Sequence, residues 1–274
     1  MKVILFSKMF KEHSIAELIE TGHDLGIEGY DLAVRPGYAI GPDNAGSDLK
    51  EAVEAFEGEG LSIPMVTGNF DLMTPDHPTA IPLIGAMDAA NVRLLKLGYF
   101  KFDPVAQDYW QEVDRIREAL EGWQKLGREH NVKICYHTHS NHCMGLNAGM
   151  LAHLIRGFDP DVIGAYLDPG HMAVEGEAFD VGAGMVGNHL AIIGAKDVLQ
   201  ERVDKDGHGA ARTTWVKAGE GLVDWTTILE ELVRLKFDGP LSVHCEFEVP
   251  AEEFLDAVRR EVTFFKTLRD RVAA

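Results

Sequence analysis

The amino-acid sequence predicts an α/β protein folded as a single (β/α)8 barrel, and three observations support this prediction. The chain has 274 residues, and one such barrel commonly takes about 250. Short apolar segments alternate with longer amphipathic segments from end to end, which is typical of repeated strand–helix units around a parallel sheet. The apolar segments number eight. We therefore expect residues 1–274 to form one barrel domain.

The predicted strands are short, apolar and separated by helical patterns. The first helix starts at Ser14, a typical N-cap that precedes apolar residues at three- and four-residue spacing. The last helix starts at Ala251 and closes the ring. In chain order the predicted strands are VILFSK from Val3, GYDLAV from Gly29, IPMVTGNF from Ile63, RLLKLGYF from Arg93, KICYHTH from Lys133, IGAYLDPG from Ile163, AIIGAKDV from Ala191 and LSVHCEFE from Leu241.

Two connections are unusually long and suit a substrate lid. One runs from Arg35 to Ser47 and the other from Leu199 to Trp225. An open doubly wound sheet is the alternative architecture, but it would normally carry a glycine-rich phosphate turn after its first strand. The segment FSKMFKEHS contains no glycine, so the barrel is favoured and its active site is expected at the carboxyl ends of the strands.

The composition restricts the partners and the cellular location. A formal charge of -18 repels phosphate backbones, which argues against a nucleic-acid partner. The first residues lack the long apolar region of a signal peptide, and no segment has the roughly 18 uninterrupted apolar residues of a membrane span. Three cysteines do not form a disulfide framework. We expect a cytoplasmic protein that does not bind membranes.

Five of the twelve histidines lie at or just beyond predicted strand ends. Buried polar residues at such positions are costly unless they bind a ligand or one another. Side chains alternate faces along a strand, so that two residues separated by one position share a face. The pairs with this spacing are His137 with His139 and His244 with Glu246, and Asp168 and His171 follow the sixth strand; His142 lies in a loop, where a solvated side chain is the simpler interpretation.

This mixture of imidazoles and carboxylates matches the ligands of Mn, Fe, Co or Zn in a site that keeps positions open for substrate oxygens. The alternative is a hydrogen-bonded polar layer that only fills the mouth of the barrel. The sequence leaves both interpretations open.

Three further segments carry candidate substrate-binding groups. Lys196 and Asp197 end the seventh strand, where an inward-facing ammonium needs a carboxylate or a substrate oxygen. Arg35 ends the second strand and suits bidentate binding of a carboxylate or hydroxyls, although a surface ion pair is an alternative. Lys217 and Glu220 lie in the long segment after the seventh strand and are candidates to close over a ligand.

The cysteines do not support a thiol mechanism. Cys135, Cys143 and Cys245 have no CxxC spacing. Cys245 lies between His244 and Glu246, so we expect its side chain to face the helical layer rather than the site.

The sequence resembles the xylose isomerase-like barrels in five motifs: HTH, LDPGHM, AKDV, GEGLVDW and DGPLSVHCEFE. This superfamily includes sugar epimerases, inosose dehydratases, hydroxypyruvate isomerases and endonuclease IV. The resemblance spans nearly the whole chain and is more specific for the fold than for the reaction. Endonuclease IV needs a basic DNA-binding face, which this acidic chain does not supply.

The resemblance also implies a divalent-metal site, but the ligands differ. The usual Glu, Asp, His and Glu of the fifth to eighth strands fall on His137, Asp168, Gly194 and His244, so only Asp168 matches. One explanation is a rebuilt site in which His137, Asp168 and His244 bind Mn, Co, Zn, Fe or Mg, completed by Glu246 or His139. The other is that this branch no longer binds metal as its relatives do.

The reaction implied by the resemblance is proton abstraction next to the carbonyl of a small keto-sugar or polyol, catalysed by a sugar isomerase or epimerase. Dehydration of a keto-polyol and a non-catalytic sugar-binding barrel are the alternatives. A homo-oligomer, either a dimer or a tetramer, is expected from the resemblance alone. The candidate catalytic residues are Glu246, Lys196 and His139, and the candidate substrate-binding residues are Arg35, His171, Asp197 and Lys217.

Overall fold

The computed structural model describes residues 1–273 and confirms the predicted barrel. Its eight parallel strands close in the order β1-β2-β3-β4-β5-β6-β7-β10, so that β1 pairs with both β2 and β10. Each predicted strand is present, although several are shorter than expected. The barrel strands are Val3–Phe6 (β1), Gly29–Ala33 (β2), Ser62–Thr67 (β3), Leu94–Lys96 (β4), Lys133–His137 (β5), Ile163–Leu167 (β6), Leu190–Ala195 (β7) and Leu241–Val243 (β10).

Helices follow the strands and pack around the barrel. The predicted cap at Ser14 is confirmed, because its side chain and that of Glu17 form a reciprocal capping box at the start of α1. The α-helices are Ile15–Leu25 (α1), Ala45–Gly58 (α2), Ala80–Ala89 (α3), Tyr109–Glu129 (α4), Ala148–Ile155 (α5), Pro169–Val174 (α6), Phe179–Val186 (α7), Trp225–Arg234 (α8) and Phe254–Ala273 (α9). Within residues 1–273, no helix is long and apolar enough to cross a membrane.

The segment expected to be a long loop after the seventh strand is instead largely a β-hairpin. Strands β8 (Asp197–Lys205) and β9 (His208–Val216) pair antiparallel along their full length. Asp206 and Gly207 form the turn with φ values of 51° and 81°, and an Asp-Gly pair is well suited to a two-residue hairpin turn with positive φ. The prediction of a loop was wrong because this local signal in KDGHG was not used.

A buried carboxyl group joins α9 to the residues that follow the hairpin. Glu261 is 4% exposed, and its Oε1 accepts a hydrogen bond of 3.0 Å from the Ala218 amide. Its Oε2 has no partner among the described residues. Burial raises the pKa of Glu261 to about 7, and this effect exceeds the lowering by its hydrogen bonds.

We predict that Glu261 makes folding less favourable as pH rises. A raised pKa in the folded state means that the protonated form is favoured there. The contribution of Glu261 to stability is therefore fully present below its ordinary pKa of 4.5 and is lost as the pH rises through about 7. Chemical denaturation should show that the free energy of unfolding of the wild type falls by about 3 kcal/mol more than that of Glu261→Gln over this range.

The exposed residue Glu252 provides the control, since Glu252→Gln should leave the pH dependence of stability as it is in the wild type. Parallel stability curves for the wild type and Glu261→Gln would show that Glu261 does not titrate in this way.

Candidate active site

A small cavity opens at the carboxyl ends of the barrel strands, as the fold predicts. Its volume is about 80 Å³. A larger groove of about 640 Å³ runs along α9, but its lining contains neither a carboxylate nor an imidazole. The cavity in the barrel mouth combines imidazoles, basic side chains and a carboxylate, and it is lined by Phe6, Lys8, Arg35, Thr67, Phe70, Lys96, Tyr99, His137, His139, Tyr166, Lys196, His244 and Glu246.

The Lys196 ammonium is the central cation of this site. Lys196 directly follows β7 and is 5% exposed. Its Nζ lies 3.0 Å from Glu246 Oε2, 3.0 Å from His171 Nε2 and 3.5 Å from Asp168 Oδ2. An ammonium has three donors, so each can point to one of these acceptors. Lys196 thus connects the ends of strands β6, β7 and β10.

Glu246 is an ionised carboxylate between two lysines. Its Oε1 accepts a hydrogen bond of 2.6 Å from Lys8, and its Oε2 accepts one of 3.0 Å from Lys196. Burial alone would raise the pKa of Glu246, but the positive charges of Lys196 and Lys8 hold it well below the usual value. Glu246 consequently stays charged and orients both lysines.

Four histidines in and beside the cavity are held in the neutral form: His137, His139, His171 and His244. Burial is the largest cause of their lowered pKa values, followed by repulsion from lysines in three of the four. The pKa of His139 falls to about 4 and that of His244 to about 3. At neutral pH each imidazole therefore has one N–H donor and one acceptor nitrogen.

The hydrogen bonds assign the tautomers of two of these rings. His139 Nδ1 lies 2.8 Å from the Ser140 carbonyl oxygen; because a carbonyl only accepts, the proton belongs on Nδ1 and Nε2 keeps its lone pair. His137 Nδ1 lies 2.8 Å from the Tyr99 hydroxyl, and its Nε2 lies 3.3 Å from Asp168 Oδ2. The carboxylate accepts the Nε2 proton of His137, so Tyr99 donates to Nδ1. His139 is thus the ring with a lone pair available to a ligand.

Of the metal quartet expected from the sequence, His137, His244 and Glu246 line the cavity and Asp168 lies 3.3 Å from His137, and a metal-binding role for these residues stays a prediction. No group of three or more His, Cys, Asp or Glu side chains within residues 1–273 is arranged to hold a metal ion. The Lys196 ammonium lies between Asp168 and Glu246 and balances their charge. The donor set therefore does not fit a divalent cation.

In the related barrels the two remaining metal ligands stand at the positions of His244 and Gly194, and the surroundings of these two residues explain why the donor set does not fit a metal ion. His244 Nε2 hydrogen-bonds the Tyr166 hydroxyl at 2.7 Å. A Cβ at Gly194 would lie 3.0 Å from the Tyr166 ring and 3.1 Å from Asp168 Oδ2. Tyr166 thus fills the space that a side-chain ligand at position 194 would need, and it engages Nε2 of His244, whereas His244 Nδ1 is buried without a partner among the described residues.

The structure separates the four predicted substrate-binding residues. Arg35 lines the cavity. His171 is buried and absent from the cavity lining; its Nε2 lies 3.0 Å from Lys196 Nζ and its Nδ1 lies 2.9 Å from the Ser140 hydroxyl. Asp197 and Lys217 are absent from the cavity lining, which does not support their predicted role.

Asp197 and Lys217 instead organise the chain after the hairpin. The Asp197 carboxylate is fully buried and accepts hydrogen bonds from the backbone amides of Gly219, Gly221 and Val223. Lys217 pairs with Glu220 at 2.9 Å. An acceptor at a strand end satisfies nearby backbone donors as readily as it binds a ligand, and spacing alone did not distinguish the two roles.

Two minor expectations agree with the structure. His142 is exposed, as expected of a solvated loop residue. Cys245 is buried, and its thiol is close enough to Glu261 of α9 for the two side chains to influence each other's pKa, so it faces the helical layer.

Sequence reasoning missed seven residues that line the cavity, among them two lysines and two tyrosines. Lys96 ends β4 and is 3% exposed. It was visible as a charged residue within the apolar run RLLKLGYF. Lys8 similarly ends the predicted first strand, whereas Tyr99 and Tyr166 carried no local signal because tyrosine is common in strands.

Comparison with known proteins agrees with this architecture. Residues 19–268 match the Xylose isomerase-like TIM barrel family. The chain belongs to this family. Among its relatives, an inosose dehydratase from Lacticaseibacillus casei is 25% identical over 166 residues, covering 53% of this chain and 54% of that protein. The chain thus spans about half the length of the curated relatives that it matches.

Solved structures of low sequence identity share the whole fold. The 3-keto-D-glucoside 4-epimerase from E. coli superposes with a TM-score of 0.75 at 15% identity, covering 97% of this chain and 99% of that chain. A Xylose isomerase-like TIM barrel protein from Mycobacterium smegmatis in complex with magnesium has a TM-score of 0.73 at 14% identity, covering 100% and 98%. At these identities the likeness establishes the fold, and the reaction has to be inferred from the site.

Proposed function

We propose that this protein is an isomerase- or epimerase-type enzyme that moves a proton on the carbon next to the carbonyl of a small keto-sugar or polyol. The observation that carries the proposal is the presence of a buried ammonium, Lys196, and a neutral imidazole with a free lone pair, His139, in the lining of one cavity. Their common neighbour is His171, which lies 3.0 Å from Lys196 Nζ and whose ring centroid is 3.9 Å from that of His139.

In the proposed mechanism, His139 Nε2 removes the proton from the carbon next to the carbonyl. The electron pair of the C–H bond forms a carbon–carbon double bond, and the carbonyl electrons move onto oxygen. The Lys196 N–H that faces Asp168 at 3.5 Å, the longest of its three contacts, turns to donate a hydrogen bond to that oxygen and stabilises its developing charge. The negative charge that develops on the substrate oxygen raises the basicity of His139, which counteracts the lowering of its pKa by burial. Glu246 holds Lys196 in place.

The fate of the intermediate distinguishes the possible reactions. Return of the proton to the former carbonyl carbon gives an isomer, because the hydroxyl proton of the first carbon passes at the same time to the former carbonyl oxygen. Return of the proton to the opposite face of the first carbon gives an epimer. Loss of a neighbouring hydroxyl gives dehydration, which the similarity to inosose dehydratase favours as the alternative. A barrel that binds a sugar without turnover is the non-catalytic alternative. A cytoplasmic location, self-association and the exclusion of nucleic acid stay predictions.

Solvent exchange tests the proposal without knowledge of the product. Ketoses and keto-polyols incubated with the protein in D2O should lose the proton next to the carbonyl, as followed by NMR. We expect His139→Gln to slow this exchange by about 10²- to 10⁴-fold, the usual contribution of a general base.

His142→Gln is the matched control, because His142 is an exposed histidine three residues along the chain, and it should exchange at the wild-type rate. A compound that binds to the wild-type protein while no compound in the panel exchanges would favour the non-catalytic alternative.

We further predict that exchange does not depend on a divalent metal, because Lys196 supplies the positive charge and the available donors do not fit an ion. Plasma mass spectrometry of the purified protein should find well below one metal per chain, and treatment with a chelator should leave the exchange rate unchanged. One tightly bound Mn, Co, Zn, Fe or Mg whose removal stops exchange would instead support the rebuilt metal site.

A further inference from the structure

Two cations in the cavity lack a carboxylate partner. Arg35 is 5% exposed and Lys96 is 3% exposed, and both line the same cavity. Neither has a carboxylate within 4.0 Å among the described residues, whereas Lys8 and Lys196 both pair with Glu246. Buried charges in proteins are normally paired, since transfer of an unpaired charge out of water is costly. This imbalance indicates a missing anion.

The Arg35 guanidinium is held in one orientation without being neutralised. Its central carbon lies 4.2 Å from the centroid of the Phe70 ring and 5.3 Å from that of Phe6. Its Nε donates to the Gly68 carbonyl at 3.4 Å. No hydrogen bond from its two terminal nitrogens reaches another part of residues 1–273. The planar fork of a guanidinium binds carboxylate or phosphate oxygens in pairs, and here that fork is free.

The Lys96 ammonium is similarly placed. Its Nζ lies 3.7 Å from the centroid of the Tyr99 ring. The nearby carboxylate of Asp31 is already engaged, because it accepts hydrogen bonds of 2.7 Å from Thr67 and 2.9 Å from Ser242. Burial is the first cause that lowers the pKa of Lys96, and the charge of Arg35 is the second. A bound anion would counteract both effects.

We propose that the ligand of this cavity carries an anionic group, a carboxylate or a phosphate, which binds between Arg35 and Lys96. The view that this ligand is the substrate rests on the proposed function, and its carbonyl would then face Lys196 and His139. The lining contains four cations and one carboxylate in a chain of net charge -18, so the preference for an anion is local to the cavity.

Calorimetry with small probes tests the proposal on the wild-type protein. Malonate represents the carboxylate source, inorganic phosphate the phosphate source and glycerol a neutral polyol. We expect one of the two anions to bind at millimolar concentration and glycerol to bind at least about tenfold more weakly, as expected for the loss of one charged hydrogen-bonded contact. Tighter binding of malonate identifies an acid, and tighter binding of phosphate identifies a phosphorylated compound. Equal binding of all three probes, or of glycerol alone, would overturn the proposal.

Charge-removing variants locate the site. Arg35→Met and Lys96→Met keep long side chains and should each weaken binding of the anion by about tenfold or more. Lys50→Met is the control, because Lys50 is an exposed lysine on α2. Anion binding that is unchanged in both cavity variants would contradict the assignment. If the wild-type protein binds the anion but does not catalyse solvent exchange on keto-sugars, only the proposed reaction is contradicted. The two failures are therefore distinguishable.

Discussion

Lys196→Met is expected to slow solvent exchange at the substrate carbon by about a hundred- to a thousandfold. Methionine keeps much of the length of the side chain but removes the ammonium that stabilises the developing oxyanion, and loss of one such donor typically has an effect of this size. Glu246 also loses its 3.0 Å partner. The measurement is the initial rate of proton loss by NMR in D2O, at a substrate concentration that saturates the wild type.

Lys205→Met controls for removal of a positive charge, since Lys205 is exposed at the end of β8. It should exchange at the wild-type rate. Circular dichroism shows whether the Lys196 variant still folds. A folded Lys196→Met protein with a normal exchange rate would mean that this lysine is only structural.

Asp168→Ala is expected to destabilise the protein by about 3–5 kcal/mol, the usual effect of removing one partner from a buried ion pair. The side chain is fully buried and lies 3.5 Å from Lys196 Nζ and 3.3 Å from His137 Nε2. It also caps α6 by accepting a hydrogen bond of 3.1 Å from the His171 amide. Its removal leaves Lys196 with Glu246 as its carboxylate partner, and leaves the His137 Nε2 donor and the His171 amide without their acceptor. Urea denaturation followed by circular dichroism measures the difference.

Asp204→Ala on the exposed hairpin is the control and should change stability by less than about 0.5 kcal/mol. Asp168→Asn tests the role of charge, since the amide oxygen can still accept the cap hydrogen bond. If Asp168→Ala were as stable as the control, the carboxylate would not be the partner that neutralises Lys196.

The architecture of the barrel was determined by local patterns in the sequence. Alternation of apolar segments with amphipathic ones identified eight strands, because a strand buried on both faces must be apolar and a helix packed on it must present one apolar stripe. The strand ends then located the active site, since they meet at one end of a barrel. His137, His139, Lys196 and Glu246 were identified in this way, and the structure brings all four into one cavity.

The chemical meaning of those residues was decided by the tertiary structure. Whether Asp168 and Glu246 neutralise a metal ion or a lysine depends on which side chains from other strands reach them. Lys196 takes that position here, and Tyr166 occupies the space beside Gly194. Spacing along one strand contains no information about contacts across the barrel, so it could not show that Lys196 lies between Asp168 and Glu246. The two cations without a carboxylate partner, Arg35 and Lys96, likewise emerged only when the strands were closed into a ring.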